Sequence, residues 1–229
     1  MNIKLQYHKE LNSKLWKDDA LLPEVRNKLL LFAKTWQQFA DIPDEAVTDI
    51  IMTGGNANYN YTPQSDIDIH ILIDKSKLPE KGKYVDDDLY SKKIIWTLTH
   101  DVKVLGYPLE PYAQDKDEIF PKGQGVFSLK NNKWIIKPVF LKLNFKDDDH
   151  LKRKVSYYMK MIDHMISSKM SLSAFETLMK KITASRKTGI VKAGEYSFEN
   201  LVFKELRNQG YINKLDKYIR NSKDKELSL

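Results

Sequence analysis

Two aspartates separated by a single residue, Asp66 and Asp68, lie in a stretch that alternates between polar and apolar residues. Side chains two positions apart in a β-strand project from the same face, so a strand here would place both carboxylates and His70 together. The intervening isoleucines would occupy the opposite face and become buried. Two adjacent carboxylates repel each other unless a cation lies between them. The pattern therefore predicts a carboxylate pair that holds a divalent metal ion, with His70 as a proton shuttle or simply a polar neighbour.

A glycine pair, Gly54-Gly55, precedes these aspartates by about ten residues. Backbone N–H groups in a glycine turn can approach a phosphate closely, because no side chain intervenes. If Asn56 begins a short helix, the helix dipole would also favour an anion there. Ser65 could bind a phosphate oxygen, although a serine in a turn needs no function. A phosphate cradle beside a metal-binding carboxylate pair is typical of phosphoryl or nucleotidyl transfer with Mg²⁺.

The segment TGGNANYNYTPQSDIDIHILID resembles the signature of the DNA polymerase β-like nucleotidyltransferase superfamily. In that signature a small residue follows a glycine, and an Asp-x-Asp strand comes after it. The segment also resembles small nucleotidyltransferase-like proteins that bacteriophages often encode, as do GVFSLKNNKWIIKP and GEYSFENLVFKELRNQGYINKL. The resemblance implies transfer of a nucleoside monophosphate from an NTP, expected to be ATP, to an acceptor hydroxyl with release of pyrophosphate.

The resemblance further implies a third carboxylate on a neighbouring strand, which would hold metal and help to deprotonate the attacking hydroxyl. Glu110 is the best candidate because it follows a predicted helix in an extended stretch, and Asp101 and Asp115 are the competitors. A solvent-facing edge residue is the alternative interpretation of Glu110. The implied catalytic residues and ligands of Mg²⁺ or Mn²⁺ are Asp66, Asp68 and Glu110. The residues expected to hold the nucleotide are Thr53, Gly54, Gly55, Asn56 and Ser65.

The spacing of apolar residues predicts the elements that position this site. Residues 22–39 have helical spacing, and residues 47–52 form an expected strand that leads into the glycine turn. A helix is expected from about residue 86 to 100, with Tyr90, Ile94 and Leu98 on one face. Extended segments are expected at 102–105 and 109–112. Residues 125–138 predict a hairpin.

From residue 147 onward the spacing is helical. Ser173 and Glu176 are expected to form a capping box at the start of one helix. Gly210 is expected to end another helix. Gly189 and Gly194 predict a loop between helices that carries the cations Arg186, Lys187 and Lys192. These cations could touch a triphosphate or an RNA backbone, or simply form a solvated linker. The predicted fold class is α+β, with a small mixed sheet flanked by helices, as the resemblance implies, and then a helical domain. The predicted domains are residues 1–146, the α/β core with its N-terminal helix, and residues 147–229, a basic helical domain.

Basic charge is concentrated in the C-terminal third of the chain. Residues 1–150 contain 21 Lys+Arg and 23 Asp+Glu, whereas residues 151–229 contain 17 and 8. Such asymmetry indicates attraction to an anionic partner such as RNA or another nucleic acid, although a lysine-rich helix surface explains it equally well.

Several classes of protein are excluded or disfavoured. The chain has no cysteine, which excludes disulfides and cysteine-based zinc sites and favours a reducing compartment such as the cytosol. The resemblance to proteins that bacteriophages encode implies the cytosol of a bacterium or of a phage-infected host. No apolar stretch predicts a signal peptide or a membrane span. Walker A and GxGxxG fingerprints are also absent, so neither P-loop nor dinucleotide-binding chemistry is supported.

Two alternative functions stay open from the sequence. The first is a catalytically silent module that binds nucleotide or nucleic acid on the same fold. The intact aspartate pair argues against it, because a degenerate member would be expected to lose an acid first. The second is transfer of AMP to a protein or a small molecule, since nothing in the sequence identifies the acceptor.

Overall fold

The computed structural model describes residues 1–79 and 84–228. The chain divides into two compact units. We call the first the sheet unit; it comprises His8–Phe120 and Gln124–Leu141. The second, the helical unit, comprises Met1–Tyr7, Pro121–Gly123 and Lys142–Leu229. The domain boundary between residues 146 and 147 stays a prediction.

The sheet unit contains eight strands within the described residues. They are β1 (Trp16–Lys17), β2 (Ala20–Leu21), β3 (Val47–Thr53), β4 (Ile67–Ile73), β5 (Lys103–Val104), β6 (Tyr107–Asp115), β7 (Val126–Ser128) and β8 (Lys133–Ile136). β1 and β2 form a small ribbon, and the other six form one sheet in the order β5-β6-β4-β3-β7-β8. β4 is parallel to β6, while the remaining neighbours are antiparallel. The predicted mixed sheet and the hairpin of β7 and β8 are thus confirmed.

β4 buries the face that its alternation predicts. Its four isoleucines, from Ile67 to Ile73, are each 0% exposed, whereas Asp68 and His70 between them are partly exposed. β6 carries Pro108 and Pro111, and proline is normally restricted to edge strands because it lacks an N–H. The order of the sheet explains Pro111, because β5 pairs only with Tyr107 and Pro108 and, within the described residues, no strand lies beside the rest of that side of β6. Pro108 is the second residue of β6, near the start of the strand.

Two helices of the sheet unit are α1 (Pro23–Phe39) and α2 (Tyr84–Thr99). α1 begins with a proline in its first turn, as expected from the fixed φ of that residue. In α2 the apolar residues predicted to share one face are not the residues that pack against the core. Tyr90, Ile94 and Leu98 are exposed, and Leu98 is 74% exposed. The buried face carries Trp96, whose ring packs against Phe39 with centroids 5.2 Å apart.

The helical unit contains α3 (Asp149–Ser167), α4 (Leu172–Ala193), α5 (Phe198–Asn208) and α6 (Tyr211–Leu227). Their apolar faces share one core with the first residues of the chain. The fully buried carboxylate of Glu205 accepts hydrogen bonds from the backbone N–H groups of Lys4 and Leu5, at 2.9 Å for the shortest contact to each. These bonds explain why Met1–Tyr7 belongs to this unit.

Two predictions about the helical unit are wrong, and one is confirmed. The capping box fails because α4 begins after Ser171, which places Ser173 inside its first turn. The basic loop fails because Arg186 and Lys187 lie within α4, which runs on to Ala193. Gly210 does end α5, in the left-handed conformation at φ +85° that favours glycine. Among the described residues, no helix is both long and apolar enough to cross a membrane.

Candidate active site

The sheet brings together the three acids that the sequence proposes as a triad. Asp66 directly precedes β4, Asp68 lies in β4 and Glu110 lies in β6. Asp68 and Glu110 are register partners in the parallel pairing of these strands. One carboxylate oxygen from each of the three acids lies within 4.8 Å of the other two, and all three residues are partly exposed. The solvent-facing alternative for Glu110 would have separated this residue from the aspartates.

The glycine turn lies against the same carboxylates. Thr53, at the end of β3, is the register partner of Asp68, so the turn that follows begins beside the triad. Gly54 has φ +77°, and a Cβ atom at this position would lie 1.7 Å from Oδ2 of Asp68. A Cβ at Gly55 would lie 3.2 Å from Oγ of Ser65. Glycine is therefore required at position 54, both by its backbone conformation and by the approach of the carboxylate.

The donor set fits a divalent metal ion. Three carboxylates offer hard oxygen ligands, which Mg²⁺ and Mn²⁺ prefer. Their mutual repulsion would be relieved by a cation placed between them. Asp66, Asp68 and Glu110 would hold such an ion, and their role as ligands and catalytic residues stays a prediction.

One residue of the site, Lys93 of α2, was missed at the level of sequence. Its Nζ atom lies 2.5 Å from Oε1 of Glu110 and 5.3 Å from the centre of the Tyr112 ring. The ammonium group therefore neutralises part of the charge of the triad. No local signal could have revealed this contact, because it joins a helix to a strand seventeen positions later. Only the packing of α2 beside β6 brings the two groups together.

The other predicted nucleotide-binding residues lie beside the turn but support the fold with their side chains. The hydroxyl of Thr53 donates to the carbonyl of Gly125 at 2.9 Å. Oγ of Ser65 accepts a hydrogen bond from the backbone N–H of Thr62 at 2.9 Å. Both side chains are buried. Any contact that these two residues make with a nucleotide would therefore use their backbone or require these bonds to change, and their predicted role stays a prediction.

Asn56 is completely buried, and both the nitrogen and the oxygen of its side-chain amide form hydrogen bonds. Its Nδ2 donates to the carbonyl of Asp66 at 2.8 Å, and its Oδ1 accepts from Asn12 at 2.9 Å. The indole of Trp16 donates to its backbone carbonyl at 2.8 Å. Asn56 thus ties the glycine turn to the start of β4. The helix around it is a single 3₁₀ turn, Gly55–Ala57, which is too short for an appreciable dipole.

His70 follows the acids on the same face of β4. Its Nδ1 lies 2.6 Å from Oε1 of Gln114, which is two positions past Tyr112 in β6. Burial is the main cause that lowers the pKa of His70 to about 4, and the positive charge of Lys93 adds to this effect. His70 is therefore neutral at pH 7 and held by Gln114, which favours the interpretation of a polar neighbour over that of a proton shuttle.

The competing third acids lie elsewhere. Asp101 is exposed and forms an ion pair with Lys103 at 2.7 Å. Asp115 ends β6 as the register partner of Ile73, so it lies at the opposite end of the strand pair from Asp68. Register alone therefore favours Glu110.

A scan against family models adds an independent result. Residues 33–118 match the model of the nucleotidyltransferase domain. The matched segment includes the glycine turn and all three acids of the triad. Neither a search of curated proteins nor a search of solved structures found a match. Residues 33–118 are therefore similar to a nucleotidyltransferase domain, which is consistent with the polymerase β-like nucleotidyltransferase superfamily.

Proposed function

We propose that this protein is a metal-dependent nucleotidyltransferase that moves a nucleoside monophosphate from an NTP to an acceptor hydroxyl. The observation that carries the proposal is the close approach of Gly54 to a carboxylate of a three-acid cluster. A phosphate-sized ligand placed against this turn would lie beside the metal-binding carboxylates. Such an arrangement supports transfer of a phosphoryl-type group rather than metal storage.

The reaction requires the acceptor oxygen to form a bond to the α-phosphorus of the NTP while the bond from that phosphorus to the bridging oxygen breaks. Pyrophosphate leaves, and the proton of the acceptor hydroxyl passes to a carboxylate, for which Glu110 is the candidate. The backbone of the Gly54-Gly55 turn would orient the phosphates. Bound Mg²⁺ or Mn²⁺ would supply charge neutralisation, and the carboxylates of Asp66, Asp68 and Glu110 would hold it. Positioning and electrostatic stabilisation account for most of the catalysis in this class of reaction.

The test is pyrophosphate release from ATP in the presence of Mg²⁺ and separate pools of RNA, protein and small-molecule acceptors. We expect Asp66→Asn and Asp68→Asn each to lower the rate by on the order of a thousandfold, because a loss of about 4 kcal/mol of transition-state stabilisation has that effect. The other three NTPs are compared in the same assay. Chelation by EDTA should abolish activity, and Mg²⁺ or Mn²⁺ should restore it.

Matched controls come from the two acids that lie away from the triad. Asp101→Asn and Asp115→Asn change the charge by the same amount and should retain activity, whereas Glu110→Gln should lose it. Normal turnover by both Asp66→Asn and Asp68→Asn would refute the proposal. Loss of activity in Asp115→Asn but not in Glu110→Gln would instead identify Asp115 as the third catalytic acid.

The acceptor that we favour is a nucleic acid, with RNA first, because the helical unit is strongly basic. This unit contains 21 Lys+Arg and 11 Asp+Glu, whereas the sheet unit contains 17 and 20. A polyanion is attracted to such a surface. The absence of cysteine supports a reducing location such as the cytosol, and the bacterial or phage-infected host stays a prediction from the resemblance.

A specific observation favours one alternative, a catalytically silent nucleotide-binding module. Glu110 already has a cationic partner in Lys93, and an ion pair can replace a metal as the source of neutralisation. In that case an NTP would bind equally well with and without EDTA, and no pyrophosphate would appear with any acceptor. Binding that requires Mg²⁺ would instead support the enzyme.

A further inference from the structure

An open groove in the helical unit is lined by residues that belong neither to the triad nor to its turn. Its volume is about 720 Å³. One face of α3 and one face of α4 form its sides, and Phe198 at the start of α5 completes it. All of its lining residues belong to the helical unit.

The cations of this groove have no acidic partner. Arg153 and Lys154 of α3 and Lys181 of α4 line it and are exposed, and its lining includes no Asp or Glu. Within the part of the chain that the structure describes, none of the three forms an ion pair with a carboxylate. Other lysines of the same unit do, as in the pair of Lys214 with Asp163 at 2.5 Å. Positive charge is therefore left available here for an external anion.

Aromatic rings lie among these cations. Tyr157 is 58% exposed, and the ammonium group of Lys154 lies 5.9 Å from its ring centre. Phe198 is 38% exposed. An exposed aromatic ring beside unpaired cations is the combination that binds single-stranded nucleic acid, because rings stack on bases while cations contact phosphates.

Three apolar residues in the floor of the groove offer little surface to a competing partner. Tyr158, Met165 and Leu178 line the groove, but each is buried and contributes to the core of the helical unit. An amphipathic peptide helix would need an exposed apolar strip at this place to anchor its side chains. The exposed lining residues are instead polar or aromatic, and the apolar Met161 and Ala174 are only partly exposed.

We propose that this groove binds a single-stranded polynucleotide, with phosphates at Arg153, Lys154 and Lys181 and a base on Tyr157. The inference extends the proposed function, since such a strand could present the acceptor hydroxyl. Binding itself needs neither nucleotide triphosphate nor metal, so it can be tested separately.

The experiment measures fluorescence anisotropy of labelled single-stranded oligouridine and oligothymidine, each about 10 nucleotides long, with the full chain in EDTA and without NTP. The double variant Arg153→Ala/Lys181→Ala should weaken binding about tenfold or more, and the slope of log affinity against log salt should fall by about 1.4 for two lost phosphate contacts. Lys217→Ala/Arg220→Ala is the matched control. It removes the same charge from exposed positions of α6 outside the groove and should change affinity less than about twofold.

Tyr157→Ala tests the base contact separately and should weaken binding by about tenfold, whereas Tyr157→Phe, which keeps the stacking ring, should bind normally. A preference for RNA or for DNA identifies the sugar, and either result supports the proposal. Equal losses in the groove and control double variants would overturn it, as would equal affinity for a duplex, whose base faces are hidden. Absence of oligonucleotide binding, or binding of an acidic peptide in its place, would also overturn it.

Asp66→Asn separates this inference from the proposed enzymatic function. It should bind the oligonucleotide normally while losing pyrophosphate release. If wild-type protein binds the strand but transfers nothing with any NTP, the proposed enzymatic function is refuted and the proposed polynucleotide site is supported. If transfer proceeds on a small molecule and no strand binds, the polynucleotide site is refuted and the enzymatic function is supported.

Discussion

The sheet unit and the helical unit arrange charge in two different ways. In the sheet unit, three like charges converge because paired strands fix their positions, and one residue of slip would separate Asp68 from Glu110. In the helical unit, Arg153 and Lys181 are spread along exposed helix faces, where long side chains adapt to a flexible partner. The difference indicates that metal-dependent chemistry needs positions fixed by backbone pairing. Attraction of a polyanion needs only a local excess of charge.

The largest expected effect tests whether backbone geometry controls the acidic site. Gly54→Ala should abolish transfer, because the new Cβ would lie 1.7 Å from Oδ2 of Asp68 and the backbone has φ +77°. Gly106→Ala is the control, since φ is +88° there but, among the described residues, no heavy atom beyond its two chain neighbours lies within 4 Å of the new Cβ. Both variants should lose about 1 kcal/mol or more of unfolding free energy from backbone strain. Pyrophosphate release should disappear only in the first, and full activity of Gly54→Ala would show that the turn does not restrict the carboxylate.

The second prediction concerns the helix that supplies Lys93 to the acidic site. Trp96→Ala should destabilise the protein by about 3–5 kcal/mol, because the buried indole packs against Phe39. Leu98→Ala, on the exposed face, should cost about 0.5 kcal/mol or less. Urea denaturation measures both. Equal costs would mean that the apolar stripe predicted from spacing is buried after all.

The third prediction asks whether the helical unit also depends on a precisely held acid. Glu205→Ala should destabilise by about 2–4 kcal/mol, because it removes a buried carboxylate that accepts hydrogen bonds from the N–H groups of Lys4 and of the buried Leu5. Glu199→Ala, on the exposed face of the same helix, removes the same charge and should change stability little. Thermal unfolding compares the two, and proteolysis near the N-terminus should accelerate only in Glu205→Ala. An unchanged melting temperature in that variant would contradict a positional role for the acid.

The smallest effect is expected at the cation that balances the triad. Lys93→Ala should tighten Mg²⁺ binding about fivefold, because removal of a partly exposed ion pair worth about 1 kcal/mol leaves Glu110 more available to the metal. Lys92→Ala, which breaks ion pairs with Asp41 and Asp88 instead, should leave the Mg²⁺ dependence unchanged. Isothermal titration with Mg²⁺ provides the measurement. Identical Mg²⁺ affinities in the two variants would show that the charge of Lys93 does not influence metal binding by the triad.

Much of the acidic site could be predicted from local sequence. The alternation around Asp66 and Asp68 indicated a strand with one acidic face, and the buried isoleucines of β4 confirm it. A glycine pair before that strand predicted a backbone that can approach a phosphate closely. Gly54 approaches the Asp68 carboxylate, and the contact with a phosphate stays a prediction. The strand prediction succeeded because a strand has a period of two, a property that depends only on neighbouring residues.

Local sequence was less informative where a helix carries apolar residues on more than one side. In α2 the spacing of Tyr90, Ile94 and Leu98 fits a buried stripe, yet Trp96 lies on the face that packs. The same limit placed Arg186 in a loop, although α4 continues through it. Periodicity identifies possible faces and breaks in a helix, while packing against the rest of the molecule selects among them.

By itself, then, the sequence determined that a strand follows a glycine pair with one acid just before it and one within it, and that basic charge is concentrated near the C-terminus. The tertiary structure decided which acid joins the pair, because Glu110 meets Asp68 only through the parallel register of β4 and β6. It also placed Lys93 against that acid and joined residues of α3 and α4 into one groove. Contacts between residues far apart in sequence depend on how elements pair and pack, and no local pattern contains that information.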